Sequence, residues 1–178
     1  VSSLNALVDA IAVTAELMGA TLSKAATKAL AEQLSPYPES WVVGALKRVA
    51  AEFSGPLRLA DILNRLDDGR PSVEEAWANC ARALRDESLS FVWTEEMRIA
   101  FGPALNLSDD AVAARMAFKE TYQRELSKAR REGEIPFWSA TLGHAMYGRE
   151  DALRLAGEKN AHTHKQLGVK PSPKLLLA

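Results

Sequence analysis

The sequence predicts an all-α protein: a multi-helix bundle, arranged as one core or as two helical lobes, with a flexible C-terminal tail. Three observations carry that expectation. Hydrophobic residues make up 47% of the 178 positions and recur at helical spacing along most of the chain. Capping residues stand ahead of these runs, and glycine or proline stands behind them. The short β-prone run Phe91-Val92-Trp93 reads as an extended segment from which no sheet is built.

The first helix starts behind Ser2 and Ser3 and runs to Gly19, with Leu4, Leu7, Val8, Ile11, Ala15 and Met18 on one narrow arc. Ala6, Ala10, Val13 and Leu17 form a second apolar stripe on the opposite side. Such a pair of stripes marks either a central helix buried on two faces or a surface for a partner or a second copy of the chain. A second helix spans Ser23 to Leu34, with Ala26, Ala29, Leu30 and Leu34 inward; Ser35-Pro36 stops it, because proline disfavours a helical residue before it. Beyond the Pro36-Tyr37-Pro38 corner, a third helix runs from Glu39 to Phe53. Its Trp41, Val42, Ala45, Leu46, Val49 and Phe53 fall within an arc of about 140 degrees. Ser54-Gly55-Pro56 ends it, and Leu59, Ile62, Leu63 and Leu66 start a short fourth helix that stops at Asp67-Asp68-Gly69.

Ser72 with Glu75 three residues on matches a capping box, opening a fifth helix that turns Ala76, Trp77, Cys80 and Leu84 inward. Thr94 caps the next, through Met97, Ile99 and Phe101 to Gly102. Ser108 and Asp109 open the longest helix, which ends at Gly133. Its inward set is Val112, Met116, Phe118, Tyr122, Leu126 and Ala129, an arc of about 160 degrees. After Pro136, Phe137-Trp138 reads as a packing plug and Arg149 to Ala156 as a last short helix. The two-lobe arrangement places a four-helix lobe at 1–70 and a second lobe at 71–157, with its long helix near 109–132. A mobile tail follows at 158–178, where the composition turns polar and Pro171 and Pro173 stand.

Twenty-two Lys and Arg against 23 Asp and Glu leave a formal net charge of -1, which excludes a globally basic, nucleic-acid-attracting surface. A single cysteine, Cys80, excludes an internal disulfide framework and a multi-thiolate metal site and fits a cytoplasmic protein. Val1 to Ala20 carries Asp9 and Glu16 and lacks a basic leader, so neither an export signal nor a membrane span is expected. The glycine-rich turn with Lys and Ser or Thr that cradles phosphates does not occur. Neither does a His-Glu-x-x-His helix, a Cys-x-x-Cys pair, a Gly-x-Ser-x-Gly elbow or a dinucleotide fingerprint. The expectation is a protein that is no enzyme, with no cofactor and no metal.

Residues with chemical potential have structural readings beside the functional ones. Asp67 and Asp68 ahead of Gly69 fit a polar turn, and Glu74 and Glu75 sit where a helix dipole favours negative charge. His162 and His164 are spaced to face one metal, but they fall in the expected tail with no third ligand. His144, near Trp138, Met146 and Arg149, reads as a structural histidine rather than a catalytic one, and Cys80 as a small hydrophobe. Arg124, Lys128 and Arg131 share the polar face of the long helix. They are spaced to follow a phosphate backbone, with Lys159, Lys165, Lys170 and Lys174 beyond them and Glu120, Glu125 and Glu132 diluting the field.

The order of helices and short motifs in about the first 80 residues resembles small phage and prophage replication proteins, in particular the helical N-terminal domain of phage-encoded loaders or inhibitors of the replicative helicase. It rests on Leu22 to Leu34, Tyr37-Pro38 leading into the tryptophan helix, Leu57 to Leu66, Asp68-Gly69-Arg70-Pro71 and Glu75-Ala76-Trp77-Ala78. The segments Val92-Trp93-Thr94-Glu95-Glu96-Met97, Ala113-Ala114-Arg115-Met116-Ala117-Phe118 and Thr141-Leu142-Gly143-His144 resemble prophage proteins of unassigned role. The first resemblance implies a non-enzymatic adaptor that binds the hexameric helicase, delivers it to or withholds it from origin DNA or its partner proteins, and need not hydrolyse ATP. In that group a less ordered helicase-binding segment follows the N-terminal lobe, whereas here 72–156 is patterned as folded and aromatic-rich.

The leading expectation is therefore a replication adaptor that contacts a replicative helicase or another host replication protein, with Val13, Leu17, Lys47 and Arg48 as the contact candidates. An inhibitor of a host defence or replication enzyme would share that surface. The alternative is a sequence-nonspecific DNA-binding module that uses Arg124, Lys128 and Arg131. An enzyme centred on His144 is the third class, and a homodimer is compatible with the two-striped first helix.

Overall fold

A computed structural model describes residues 2–167, and the chain divides into two compact units, 1–68 and 69–178. The first unit holds α1 (Ser2–Leu17), α2 (Lys24–Leu34), α3 (Glu39–Glu52) and α4 (Leu59–Leu63). Gly19 closes α1: with φ at 74° its amide donates to the Glu16 carbonyl while Ala20 donates to Ala15, the paired bonds of a Schellman cap. Ser23 caps α2 by accepting from the Ala26 amide. α1 packs on α2 and α3, and α3 on α4. Leu7, Ile11, Leu34, Val42, Leu46, Val49 and Ile62 fill the space between them. Each such aliphatic side chain contributes about 1.5–3 kcal/mol through burial.

Within this unit the expected inward faces hold for α1 and α3 and shift for α2. Thr27 and Ala31 are buried beside Leu34, and Ala29 is exposed. A polar residue takes the core position because its hydroxyl donates to the Ser23 carbonyl one turn back and so needs no partner elsewhere. Most of the second stripe of α1 is not covered: Ala10 is half-buried, but Ala6 is exposed, and Val13 and Leu17 are 55% and 76% exposed. Burial on two faces, one of the two readings of that stripe, does not occur among the described residues. At the 67–69 turn Asp67 is exposed, but Asp68 is buried rather than solvated.

The second unit holds α5 (Val73–Arg85), β1 (Phe91–Thr94), α6 (Glu95–Leu105), α7 (Ala111–Glu132), β2 (Trp138–Thr141) and α8 (Arg149–Leu167). The capping box at Ser72 and Glu75 forms as expected. The protein is mostly helical but not strictly all-α. β1 and β2 pair antiparallel, Phe91 opposite Thr141 and Thr94 opposite Trp138. Periodicity does not reveal this ribbon because β2 contains one large apolar residue and lies 44 positions downstream of its partner, Trp138 against Thr94. Thr94 ends β1 and caps α6, which runs past Gly102 and Pro103 to Leu105.

α7 begins one residue beyond Asp110, whose carboxylate accepts from the Val112 and Ala113 amides, and ends on Gly133 at φ 70°. Its buried face is rotated from the expected one: Ala114, Phe118, Thr121, Tyr122 and Ala129 face the core, while Val112 and Met116 are 74% and 63% exposed. The cause is packing on two sides. α5 and α6 both pack on α7, with Trp77 against Phe118 at 5.6 Å and Phe118 stacked on Tyr122 at 5.7 Å. Glu74 at the start of α5 pairs with Arg115 and Lys119 and so holds that turn of α7.

α8 corrects the expectation of a short helix ending at Ala156 with a mobile tail from 158, since it continues to Leu167. Its buried stripe is Ala152, Ala156, Asn160 and Thr163, small and polar residues without the large apolar side chains by which amphipathic helices are recognised. Asn160 explains the docking: its side chain accepts from the Trp138 amide and donates to the Trp138 carbonyl, both at 2.8 Å, while Lys159 Nζ lies 4.1 Å from the Trp138 ring centroid. The rest of the expected tail, 168–178, lies outside the described residues. A buried ion pair, Arg70 with Glu96 at 2.9 Å, ties the start of this unit to α6; Arg70 also donates to the Glu134 carbonyl, and the Tyr122 hydroxyl donates to that of Pro71.

Candidate functional site

A cleft in the second unit is built where β1, the end of α6 and the segment after β2 meet. Strand alternation sends Phe91 and Trp93 to the same side of β1. The Trp93 indole N–H donates to the Thr141 hydroxyl at 2.8 Å, which fixes the ring across the ribbon. Phe101 on α6 tilts against Trp93 with centroids 5.3 Å apart, and Phe91 stacks on Trp93 at 5.7 Å. These three rings, with Leu89, Leu105 and Leu142, line a cavity of about 190 Å³. Glu87 and Thr141 supply its polar side chains.

The wall opposite α6 is held by close backbone packing. A Cβ on Gly143 would lie 2.1 Å from the Ser88 carbonyl oxygen and 2.3 Å from that of Leu89, so only glycine permits the approach. The Gly143 amide donates to the Ser90 hydroxyl, the Ala145 amide to the Ser88 carbonyl, and Arg149 clamps the Gly143 carbonyl from Nε and Nη2 at 3.0 and 2.6 Å. Asp86 accepts from both the hydroxyl and the amide of Ser88, which hold its carboxyl below the usual carboxylate range. The cleft is therefore preformed.

Sequence reasoning does not find it. Phe91 and Trp93 read as part of an extended segment, Phe101 as one position of the helix capped by Thr94, and Leu142-Gly143 only as part of a resemblance. The alternation of aromatics in Phe91-Val92-Trp93 is the available signal, but its partner strand gives none.

The residues singled out from the sequence lie elsewhere. Val13 and Leu17 stand exposed on α1, away from Leu7, Ile11 and Ala15. Lys47 is exposed on α3, whereas the half-buried Arg48 directs its guanidinium to the Arg65 carbonyl at 3.1 and 2.5 Å, where it ties α3 to the turn after α4. Arg124, Lys128 and Arg131 are all exposed on α7. Arg124 pairs with Glu125 at 3.0 Å, rather than with Glu120 one turn earlier, and Lys128 and Arg131 have no ion pair among the described residues. Of the more distal lysines, Lys159 covers Trp138, Lys165 is exposed on α8, and Lys170 and Lys174 lie outside the described residues.

His144 is exposed, and no hydrogen bond involves its imidazole among the described residues. His162 and His164 belong to α8, where a two-residue step turns side chains about 200 degrees apart, so they do not converge on one ion. No group of three or more His, Cys, Asp or Glu side chains among the described residues is placed to hold a metal. Cys80 is buried, and burial pushes its thiol up to about 12. No helix among the described residues is long and apolar enough to cross a membrane. No protein-family model, curated protein or solved structure matches the chain.

Proposed function

We propose that the protein is a non-enzymatic, cytoplasmic adaptor of phage or prophage DNA replication that binds a replicative helicase or a related replication protein, as a loader or an inhibitor. The observation that carries this reading is the open face of α1. Val13 and Leu17, 55% and 76% exposed, stand on one side of a helix whose other side is locked into the first unit by Leu7, Ile11 and Ala15. Adjacent exposed aliphatic side chains on a well-anchored helix suit a groove on a partner. Lys47 on α3 is a candidate rim contact, while Arg48 is engaged within its own unit. The resemblance of the first helices to helicase loaders and inhibitors supplies the class of partner.

The test is affinity capture of the tagged protein from nuclease-treated bacterial lysate, read for the replicative helicase, beside a Val13→Asp, Leu17→Asp double variant of unchanged melting temperature. Helicase enriched by the parent and lost by the variant supports the reading. Absence of helicase, or its equal capture by the variant, overturns it.

A second reading, sequence-nonspecific DNA binding, is favoured by the exposure of Lys128 and Arg131 without ion pairs among the described residues. Replacing Arg124, Lys128 and Arg131 with alanine then weakens DNA binding and lowers the salt slope by about 0.9 for each phosphate no longer neutralised. An unchanged slope removes the stripe from consideration.

A further inference from the structure

We propose that the aromatic cleft of the second unit is a binding site for a compact aromatic ring that carries a protonated amine. Three properties of the cleft select that ligand. The first is size: a dry apolar cavity of about 150 Å³ holds one benzene ring, so about 190 Å³ suits a single ring or an indole with a short substituent. The second is the surface. Trp93 and Phe101 present tilted rings, the arrangement into which a further ring packs edge to face, and aromatic faces also attract cations. Arg82 already uses that property at Phe91, its guanidinium carbon 5.9 Å from the ring centroid.

The third property is the polar valence of the lining. Two N–H groups at its wall are already committed: the Trp93 indole N–H to Thr141, the Gly143 amide to Ser90. Among the described residues no Lys, Arg or His lines the cleft, and its one ionisable lining residue, Glu87, is exposed without an ion pair. The site therefore offers acceptors and negative charge, and the Thr141 hydroxyl is the side-chain donor that remains. The nearest guanidinium groups stand outside the lining and are engaged, Arg82 over the Phe91 ring and Arg149 on the Gly143 carbonyl, so a ligand carboxylate meets Glu87 in the lining, whereas an ammonium pairs with it. The inference is independent of the helicase reading, which rests on α1.

The test is titration of the full chain with tryptamine and with indole-3-propionate, which share a ring and differ in charge, followed by calorimetry and ligand-observed NMR. Saturable binding of tryptamine, tighter than the acid by about three- to fivefold, is the expected result. Glu87→Gln, at an exposed position, is expected to reduce that preference while leaving the melting temperature unchanged. Leu142→Trp, which fills the mouth, is expected to abolish binding of both. No saturable binding, equal affinity for amine and acid, or a preference undiminished by Glu87→Gln each overturns the proposal, and Glu87→Gln decides the matter even where Leu142→Trp fails to fold.

Discussion

Asn160 is the side chain by which the C-terminal half of α8 is fastened to the ribbon, and its removal has a calculable effect. Its amide meets both backbone polar groups of Trp138 at 2.8 Å in a setting where Asn160 and Trp138 are 6% and 4% exposed. Asn160→Ala deletes both bonds and strands a buried N–H and a buried carbonyl. A buried group left without a partner costs about 1–3 kcal/mol, so the pair amounts to about 2–6 kcal/mol, a large part of a typical folding stability of about 5–15 kcal/mol. Urea denaturation followed by tryptophan fluorescence measures it, since Trp138 is one of four tryptophans and sits at the lesion. Asn160→Asp discriminates further: it keeps the acceptor for the amide, but sets a carboxylate oxygen against the Trp138 carbonyl, and is expected to destabilise at least as much as alanine. A loss below about 0.5 kcal/mol for Asn160→Ala, the range of indifferent surface changes, would refute the claim that this bracket docks the helix.

Gly143→Ala drives a Cβ into two backbone carbonyls, so a destabilisation of about 1–3 kcal/mol is expected in thermal unfolding, with loss of any ligand bound in the adjacent cleft. Cys80, its thiol pushed up to about 12, is expected to react with a disulfide reagent at pH 8 only on unfolding, because about one part in 10,000 is thiolate there; rapid labelling of the native protein would contradict its burial. Stability should also fall in acid. Glu74 is held below its ordinary value of 4.5 by Lys119 and then Arg115, Glu75 by the amide and hydroxyl of Ser72, and Glu95 by Arg98. Each carboxylate binds fewer protons folded than unfolded. Its contribution is therefore complete above about pH 5 and lost as the pH drops through the lowered values. Melting temperatures across pH 3 to 7 check this, with Glu74→Gln expected to flatten the acid limb.

Legibility in the sequence follows the size of the apolar side chains. α3 reads directly, because Trp41, Val42, Leu46 and Val49 crowd one arc and every one is buried. The capping box at Ser72 and the glycine caps at Gly19 and Gly133 are equally local: their signals lie within a few residues of the geometry they specify. α8 fails the same test because its inward stripe of Ala152, Ala156, Asn160 and Thr163 carries the polar atoms that hold it. What docks that helix is a pair of hydrogen bonds to a residue 22 positions earlier, a pairing no period reveals. α7 shows the converse error. Val112 and Met116 extend the apolar arc on a wheel, yet packing by α5 and α6 turns the helix so that they face out.

The candidate sites divide along the same line. The α1 face is legible because a stripe opposite a core stripe is a property of one helix, and its exposure follows once α2 and α3 occupy the other side. The cleft is not, because it depends on a strand pair, on the end of α6 and on a glycine whose value lies in the absence of a Cβ beside Ser88 and Leu89. Its rings and leucines supply area and its acceptors supply selectivity. Its polar side chains are one carboxylate and a hydroxyl that accepts from Trp93. His144, the histidine next to Gly143 on that wall, is exposed and outside the cleft lining, so the cleft and the histidine singled out from the sequence are separate features.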